Sequence, residues 1–321
     1  MKVTKDSLEQ GQIGIYVLTI LVSAGIGLLW KEATQLAHFI EPVIGLLLYS
    51  MFCQIPFFKL KAAFQNRSFF KALLVGNFVF IPILVGVLLS IFPLTPILTL
   101  GVLLVLLTPC IDYVIVFTHM GKGDSHAVLA ATPLLFVVQM LLLPVFLYAF
   151  LGKETLDIIA IAPFVQSFVL MIVIPFSLAL LTQYSTKRTK VGEGIIDFSG
   201  WMPVPMMALT FFCVIASQIG SLIGNMEPIL SVLPIYIGFG IVAPFAGLLA
   251  STIFKTGLAE KRGVAFSTST RNSLVVLPLA LALPAPDNQL VAVIIVTQTM
   301  VEILFELVYI KLIPRFTKIK A

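Results

Sequence analysis

Three carboxylates and one guanidinium stand inside otherwise apolar stretches of this 321-residue chain: Asp112, Glu302 and Glu306 against Arg271. A charge at the centre of an apolar helix costs about 2.5–3.5 kcal/mol on insertion scales, so it persists where it is paired or functional. Glu302 and Glu306 are one helical turn apart and share a face, where two carboxylates repel until one takes up a proton or a cation. Glu306 lies close enough to the end of its run to reach water, whereas Glu302 is nearer the centre. At full ionisation three carboxylates outweigh one guanidinium, and a proton or Na⁺ is the simplest group to restore the balance.

Polar, interrupted segments surround these charges. One apolar run breaks at Leu107-Thr108-Pro109-Cys110-Ile111-Asp112, and another reads Ser267-Thr268-Ser269-Thr270-Arg271-Asn272-Ser273 with Pro278 beyond it. Inside lipid, broken helices are tolerated where the freed backbone groups are buried in protein or line a cavity. The plainer alternative is that prolines and hydroxyls merely kink or pack membrane helices. The segments nominate Thr108, Cys110, Asp112, Arg271 and Asn272 for substrate contact, and Glu302, Glu306, Asp112, Ser269 and Thr270 for ion coupling, with Glu302 expected to take the proton. A Cys110 thiolate would be a soft ligand suited to thiophilic species, although buried cysteines mostly act as small hydrophobes. Cys53 and Cys213 lack comparable polar neighbours, and His38, His119 and His126 are scattered without metal-ligand spacing.

The elements that must hold these groups follow from composition. Only 11% of residues are charged and 59% are hydrophobic, against about 25% charged in a soluble domain. Apolar runs fall at 12–30, 36–57, 69–92, 96–118, 126–151, 156–182, 200–223, 229–254, 262–284 and 289–313, each close to the roughly 20 residues that a membrane span needs. The first run lacks the small-residue cleavage pattern of a signal peptide and reads as a retained span.

Lys and Arg collect on alternate loops, as the positive-inside rule requires if no span is missed. Lys2, Lys5, Lys59, Lys61, Arg67, Lys71, Lys122, Lys187, Arg188, Lys190, Lys255, Lys261, Arg262, Lys311, Arg315, Lys318 and Lys320 fall on one side, and only Lys31 and Lys153 on the other. The expected fold is an all-α integral membrane protein of ten transmembrane helices, multi-pass in the plasma (inner) membrane, with both termini cytoplasmic.

Ten spans divide into two sets of five, which enter the membrane with opposite polarity. The expected halves are 1–151 and 152–321, two inverted five-helix repeats. At an offset near 160, Cys53 faces Cys213, Pro82 faces Pro244, Thr108-Pro109-Cys110 faces Thr270-Arg271-Asn272, and Asp124 faces Asp287.

Other classes are disfavoured. The chain shows no phosphate-binding glycine loop, nucleophile elbow or paired-histidine zinc motif, so no enzyme activity and no cofactor beyond a coupling ion is expected. The +5 net charge sits in short loops and does not suggest nucleic acid. The expected partners are a small-molecule or inorganic substrate and membrane lipid, with no obligate protein partner.

Pro109-Cys110, followed by Val114, Val116, Phe117, His119 and Lys122-Gly123-Asp124, resembles the fourth-span signature of the arsenical-resistance arsenite permeases, within the bile acid:sodium symporter superfamily. Arg271-Asn272 and Val301-Glu302 are similar to that family's marks in spans nine and ten. The resemblance implies a core of spans three to five and eight to ten, in which broken spans four and nine cross, and a panel of spans one, two, six and seven. It also implies that Cys110 holds arsenite and that the proton gradient drives efflux.

Three departures point to a divergent branch. Val275 stands where the permeases carry a glutamate, span five has Pro133, Gln139 and Pro144 instead of an Asn-Asp pair, and span nine lacks the Glu plus Gln sodium ligands of the bile-acid branch. The leading expectation is efflux of arsenite or a related small solute. The alternative is a Na⁺-coupled importer of an organic anion, with Arg271 reading the carboxylate. An intramembrane enzyme or sensor is a remote third.

Overall fold

The structure, a computed structural model, describes residues 5–54, 66–111, 113–158, 169–186, 190–223 and 226–318. Among these the secondary structure is helical, apart from one isolated bridge between Pro109 and Arg271. Helices α1 (Lys5–Leu29) and α2 (Ala37–Gln54) flank a 3₁₀ turn at Lys31–Leu36. Helices α3 (Arg67–Val75) and α4 (Ile81–Ile91) are joined through a π-helical turn at Gly76–Phe80. Next come α5 (Pro96–Leu106), α6 (Val114–Met120) and α7 (Ser125–Ile158), the last interrupted at Gly152, where φ is 73°.

A second π-helical turn, Val169–Val173, leads into α8 (Ile174–Ser185). It is followed by α9 (Lys190–Ser199), α10 (Pro203–Ile223) and α11 (Met226–Ile253). Helices α12 (Leu258–Ser269), α13 (Ser273–Leu281) and α14 (Asp287–Lys318) complete the chain.

Among the described residues, five helical stretches are long and apolar enough to cross a membrane: Glu32–Gln54, Arg67–Ile91, Ser125–Gly152, Met226–Ile253 and Asp287–Thr317. The pair Val191–Ser199 and Pro203–Ser217, bent by 50°, makes a sixth if it is one span. Helix α11 shows why lipid is the natural solvent. Ile237, Ile241, Phe245, Leu249 and Ile253 recur every four residues on its exposed face, between 41% and 55% accessible. Tyr236, Gly240, Ala243, Gly247 and Ser251 lie on its buried face. An apolar stripe turned outward over small and polar residues turned inward is the arrangement of a helix packed in a bilayer. The chain is a multi-pass membrane protein.

Between the apolar runs 156–182 and 200–223, residues 190–199 form a further helix, α9. Its Gly192 and Ser199 are buried while Val191, Ile195 and Phe198 remain exposed. Several topology markers, Lys2, Lys59, Lys61, Lys187, Arg188 and Lys320, lie outside the described residues, as does the first part of the 156–182 run.

Backbone contacts divide the chain into two compact units, one from Met1–Ile55 with Ala162–Met226 and the other from Pro56–Ile161 with Glu227–Ala321. In the first, α1 packs along α10 and α2 packs between α8 and α10. In the second, α14 lies against α5, α13 and α12. All the described candidate site residues belong to this second unit.

The π-helical turn before α4 has a local cause. Pro82 has no N–H to give a regular i−4 bond, and the preceding amide of Ile81 reaches back five residues to the Gly76 carbonyl. The widened turn carries Asn77, which is fully buried.

Candidate functional site

Helices α5 and α12 stop after 11 and 12 residues because their sequences cannot continue them. Pro109 offers no amide and disfavours helical geometry in the residue before it, and α5 stops at Leu106. In α12 the hydroxyls turn back on the last turn: Ser269 Oγ donates to Ala265 O (2.9 Å) and Thr268 Oγ1 lies 3.1 Å from Val264 O. The backbone then extends at Thr270, with φ −100° and ψ 129°.

The two interrupted segments pair with each other. Cys110 N–H donates to Thr270 O at 3.0 Å and Asn272 N–H donates to Thr108 O at 2.8 Å, which makes an antiparallel bridge centred on Pro109 and Arg271. Each break thereby satisfies backbone groups freed by the other, the condition for irregular backbone at membrane depth. Thr108, Cys110, Thr270 and Arg271 are all 0% exposed.

Arg271 is the centre of this crossing. Its guanidinium donates to Leu106 O (3.3 Å), Ser267 O (2.6 Å) and Asn77 Oδ1 (2.8 Å), and stacks 5.5 Å from the centroid of Phe239. Leu106 and Ser267 are in the last turns of α5 and α12, so the cation complements the negative ends of two helix dipoles. Arg271 Nε has no hydrogen-bond partner among the described residues.

Glu302 braces the same segment from α14. Its carboxylate accepts from Arg271 N–H at 2.8 Å, Tyr113 Oη at 2.5 Å and Gln298 Nε2 at 2.6 Å. Tyr113 Oη also lies 3.1 Å from Arg271 O. One turn on, Glu306 Oε1 is 2.7 Å from Thr270 Oγ1, while its other oxygen is buried without a hydrogen-bond partner among the described residues. Glu306 is 0% exposed, so in this structure it does not reach water.

The remaining nominated side chains serve the crossing. Thr108 Oγ1 lies 2.9 Å from Leu104 O and 3.1 Å from Val105 O. Asn272 Oδ1 caps α13 by accepting from Val275 N–H at 3.2 Å. Thr108, Cys110, Ser269, Thr270, Arg271, Asn272, Glu302 and Glu306 are thus gathered at one locus, while Asp112 lies outside the described residues. Cys53, Cys110 and Cys213 are buried and form no disulfide.

Asn77, Tyr113, Gln298 and Tyr309 were not singled out by sequence, although each is bonded within this network or lines a cavity beside it. The one available signal was an amide or phenol inside an apolar run, which does not say what it reaches. No group of three or more His, Cys, Asp or Glu with metal-binding geometry occurs among the described residues.

The family model of the sodium bile acid symporter family matches residues 41–225, more than half of the chain. No curated protein matches it significantly.

Proposed function

Because the chain belongs to the sodium bile acid symporter family, whose members are transporters rather than enzymes, we propose that it is a secondary active carrier in which the paired breaks of α5–α6 and α12–α13 form the path of a small solute. The antiparallel pairing of Thr108–Cys110 with Thr270–Asn272 carries this reading. Discontinuous helices that meet in mid-membrane are where secondary transporters bind their cargo.

Counting each broken pair as one span, the described helices accommodate ten: α1, α2, α3–α4, α5–α6, α7, α8, α10, α11, α12–α13 and α14. Two inverted repeats, 1–151 and 152–321, then each hold a broken span in fourth place, and oppositely inserted copies would present their breaks antiparallel. The unit containing Pro56–Ile161 and Glu227–Ala321 has the composition of the core, and the other that of the panel. Both termini would be cytoplasmic, in the plasma membrane.

For the solute, Cys110 at the crossing favours a thiophilic oxyanion precursor such as arsenite, held by one thiolate that can release it. The Glu302–Glu306 pair would take the coupling proton as the cycle turns. The family's description favours a second reading, sodium-coupled import of an organic anion. Against Arg271 as its carboxylate reader stands the guanidinium's present engagement with Leu106, Ser267 and Asn77.

Flux of arsenite, antimonite and a labelled carboxylate into liposomes holding the purified protein, under imposed proton or sodium gradients, tests both readings. Arsenite flux driven by protons and abolished by Cys110→Ser supports the first. Arsenite flux unchanged by that substitution overturns the thiolate role, and sodium-driven carboxylate uptake establishes the second.

A further inference from the structure

The short helix α9, between α8 and α10, has three sides that differ in kind. At about 100° per residue, Val191, Ile195 and Phe198 fall within about 60° of one another, and they are 71%, 40% and 68% exposed. Gly192 and Ser199 lie about a quarter turn away and are buried. Glu193 and Asp197 lie nearly opposite the apolar side and are exposed.

The buried side is clamped to protein. Helix α9 packs against α2 and α8, and Gln54 Nε2, at the end of α2, donates to Ser199 Oγ at 2.8 Å and to Ile196 O at 3.3 Å. These bonds stop the helix from rolling about its axis, so the direction of its apolar side is set.

Exposed apolar surface leads up to α9 and away from it. Ile174, Leu178 and Leu181 form a stripe on α8, between 42% and 64% accessible, with exposed Tyr184 at its end. Past α9, exposed Trp201 sits in the break at 200–202, where the axis bends by 50° into α10. Tyr and Trp concentrate where hydrocarbon meets headgroups. Gly200 lies beside Lys5 at the start of α1, so α9 shares its end of this unit with one of the basic residues that mark the expected cytoplasmic face.

One surface matches a helix with an apolar side, a charged side opposite and no freedom to turn. At the boundary of acyl chains and headgroups such helices lie with the apolar side sunk about 5–10 Å. Hydrocarbon all round would strip water from both carboxylates, and water all round would leave three large apolar side chains hydrated. A second copy of the chain is a poor fit, because three side chains on a ten-residue helix offer far less than the roughly 800 Å² per partner of a stable interface.

We propose that α9 is an interfacial helix whose partner is the lipid itself, with Val191, Ile195 and Phe198 sunk in the headgroup boundary and Glu193 and Asp197 in water. Its clamp to α2 and its junction with α10 then fix the depth of this end of the unit in the bilayer. The assignment concerns the membrane surface alone and stands whichever solute is carried.

Nitroxide labels on the full-length protein in phosphatidylcholine liposomes test it. They are attached one at a time through Val191→Cys, Glu193→Cys, Ile195→Cys, Asp197→Cys or Phe198→Cys, with Cys53, Cys110 and Cys213 replaced by alanine. The expected result is that labels at 191, 195 and 198 collide more with oxygen than with a water-soluble nickel chelate, at a depth of about 5–10 Å, and that labels at 193 and 197 show the reverse. Preference for the chelate at all five positions overturns the proposal by standing the helix in water. Shielding of 191, 195 and 198 from both reagents overturns it by showing that protein covers the face. If the cysteine-free chain does not fold, Trp30→Phe with native cysteines leaves Trp201 as the one tryptophan. Quenching of Trp201 by lipid brominated high on the acyl chain, exceeding that by lipid brominated near its end, is then expected, and quenching by aqueous acrylamide alone overturns the proposal.

Discussion

Asn77 Oδ1 accepts a hydrogen bond from the Arg271 guanidinium at 2.8 Å, and Asn77 Nδ2 donates to Ser267 Oγ at 3.0 Å. One amide on the bulged turn between α3 and α4 thus fastens both the cation at the crossing and the last turn of α12. Asn77→Ala leaves a charged donor buried with one partner fewer. The expected loss is about 1.5–3 kcal/mol, read as a lowered midpoint in thermal unfolding, together with impaired flux.

The bulge itself is testable at Pro82. Pro82→Ala restores an amide that can close a regular turn onto Phe78, and removing the wide turn rotates Asn77 by about 100° around its helix. Stability should fall, but by less than in Asn77→Ala, because the regained helical bond offsets part of the lost Asn77 contacts, while flux falls to the level of Asn77→Ala. Full flux in Pro82→Ala would show that the bulge does not position Asn77.

Tyr113 bridges Glu302 and the Arg271 carbonyl. Tyr113→Phe keeps the ring and its edge-to-face contact with Phe117 but removes the donor to the carboxylate. A hydrogen bond to a charged group is worth about 1.5–3 kcal/mol, so solute flux should drop by roughly tenfold or more while the protein remains folded. Flux equal to the parent's would remove Tyr113 from the mechanism.

Gln139 on α7 is 1% exposed, and neither amide atom has a hydrogen-bond partner among the described residues. A buried unsatisfied amide costs about 1–3 kcal/mol, so Gln139→Leu should raise the unfolding midpoint. If the amide is retained for the solute, the same variant loses transport. Gained stability with undiminished flux would mark Gln139 as without transport function.

Much of the site could be read from residue types because lipid makes polarity conspicuous. Pro109 and the hydroxyl run from Ser267 announced where helices would break, and Arg271, Glu302 and Glu306 were visible as charges in apolar runs. That the breaks pair with each other could be expected only from resemblance. The direction of the Arg271 side chain was not legible, since helical spacing does not say that a guanidinium will fold back onto the carbonyls of Leu106 and Ser267. Asn77 was missed because one amide in the 69–92 run looks like ordinary packing until its bulge is seen. Helix α9 was missed because its glycines and acidic residues resemble a loop, whereas Val191, Ile195 and Phe198 recur at helical spacing.

The central claim, that the crossing of the two breaks is the solute path, is tested most directly at Cys110. With Cys53 and Cys213 replaced by alanine, Cys110 is the sole thiol, and membrane-impermeant thiol reagents can be applied to either face of oriented liposomes under imposed gradients. The predicted result is that Cys110, buried in this structure, becomes reactive from one face at a time, and that arsenite protects it. A thiol that stays unreactive from both faces during active solute flux would contradict the account.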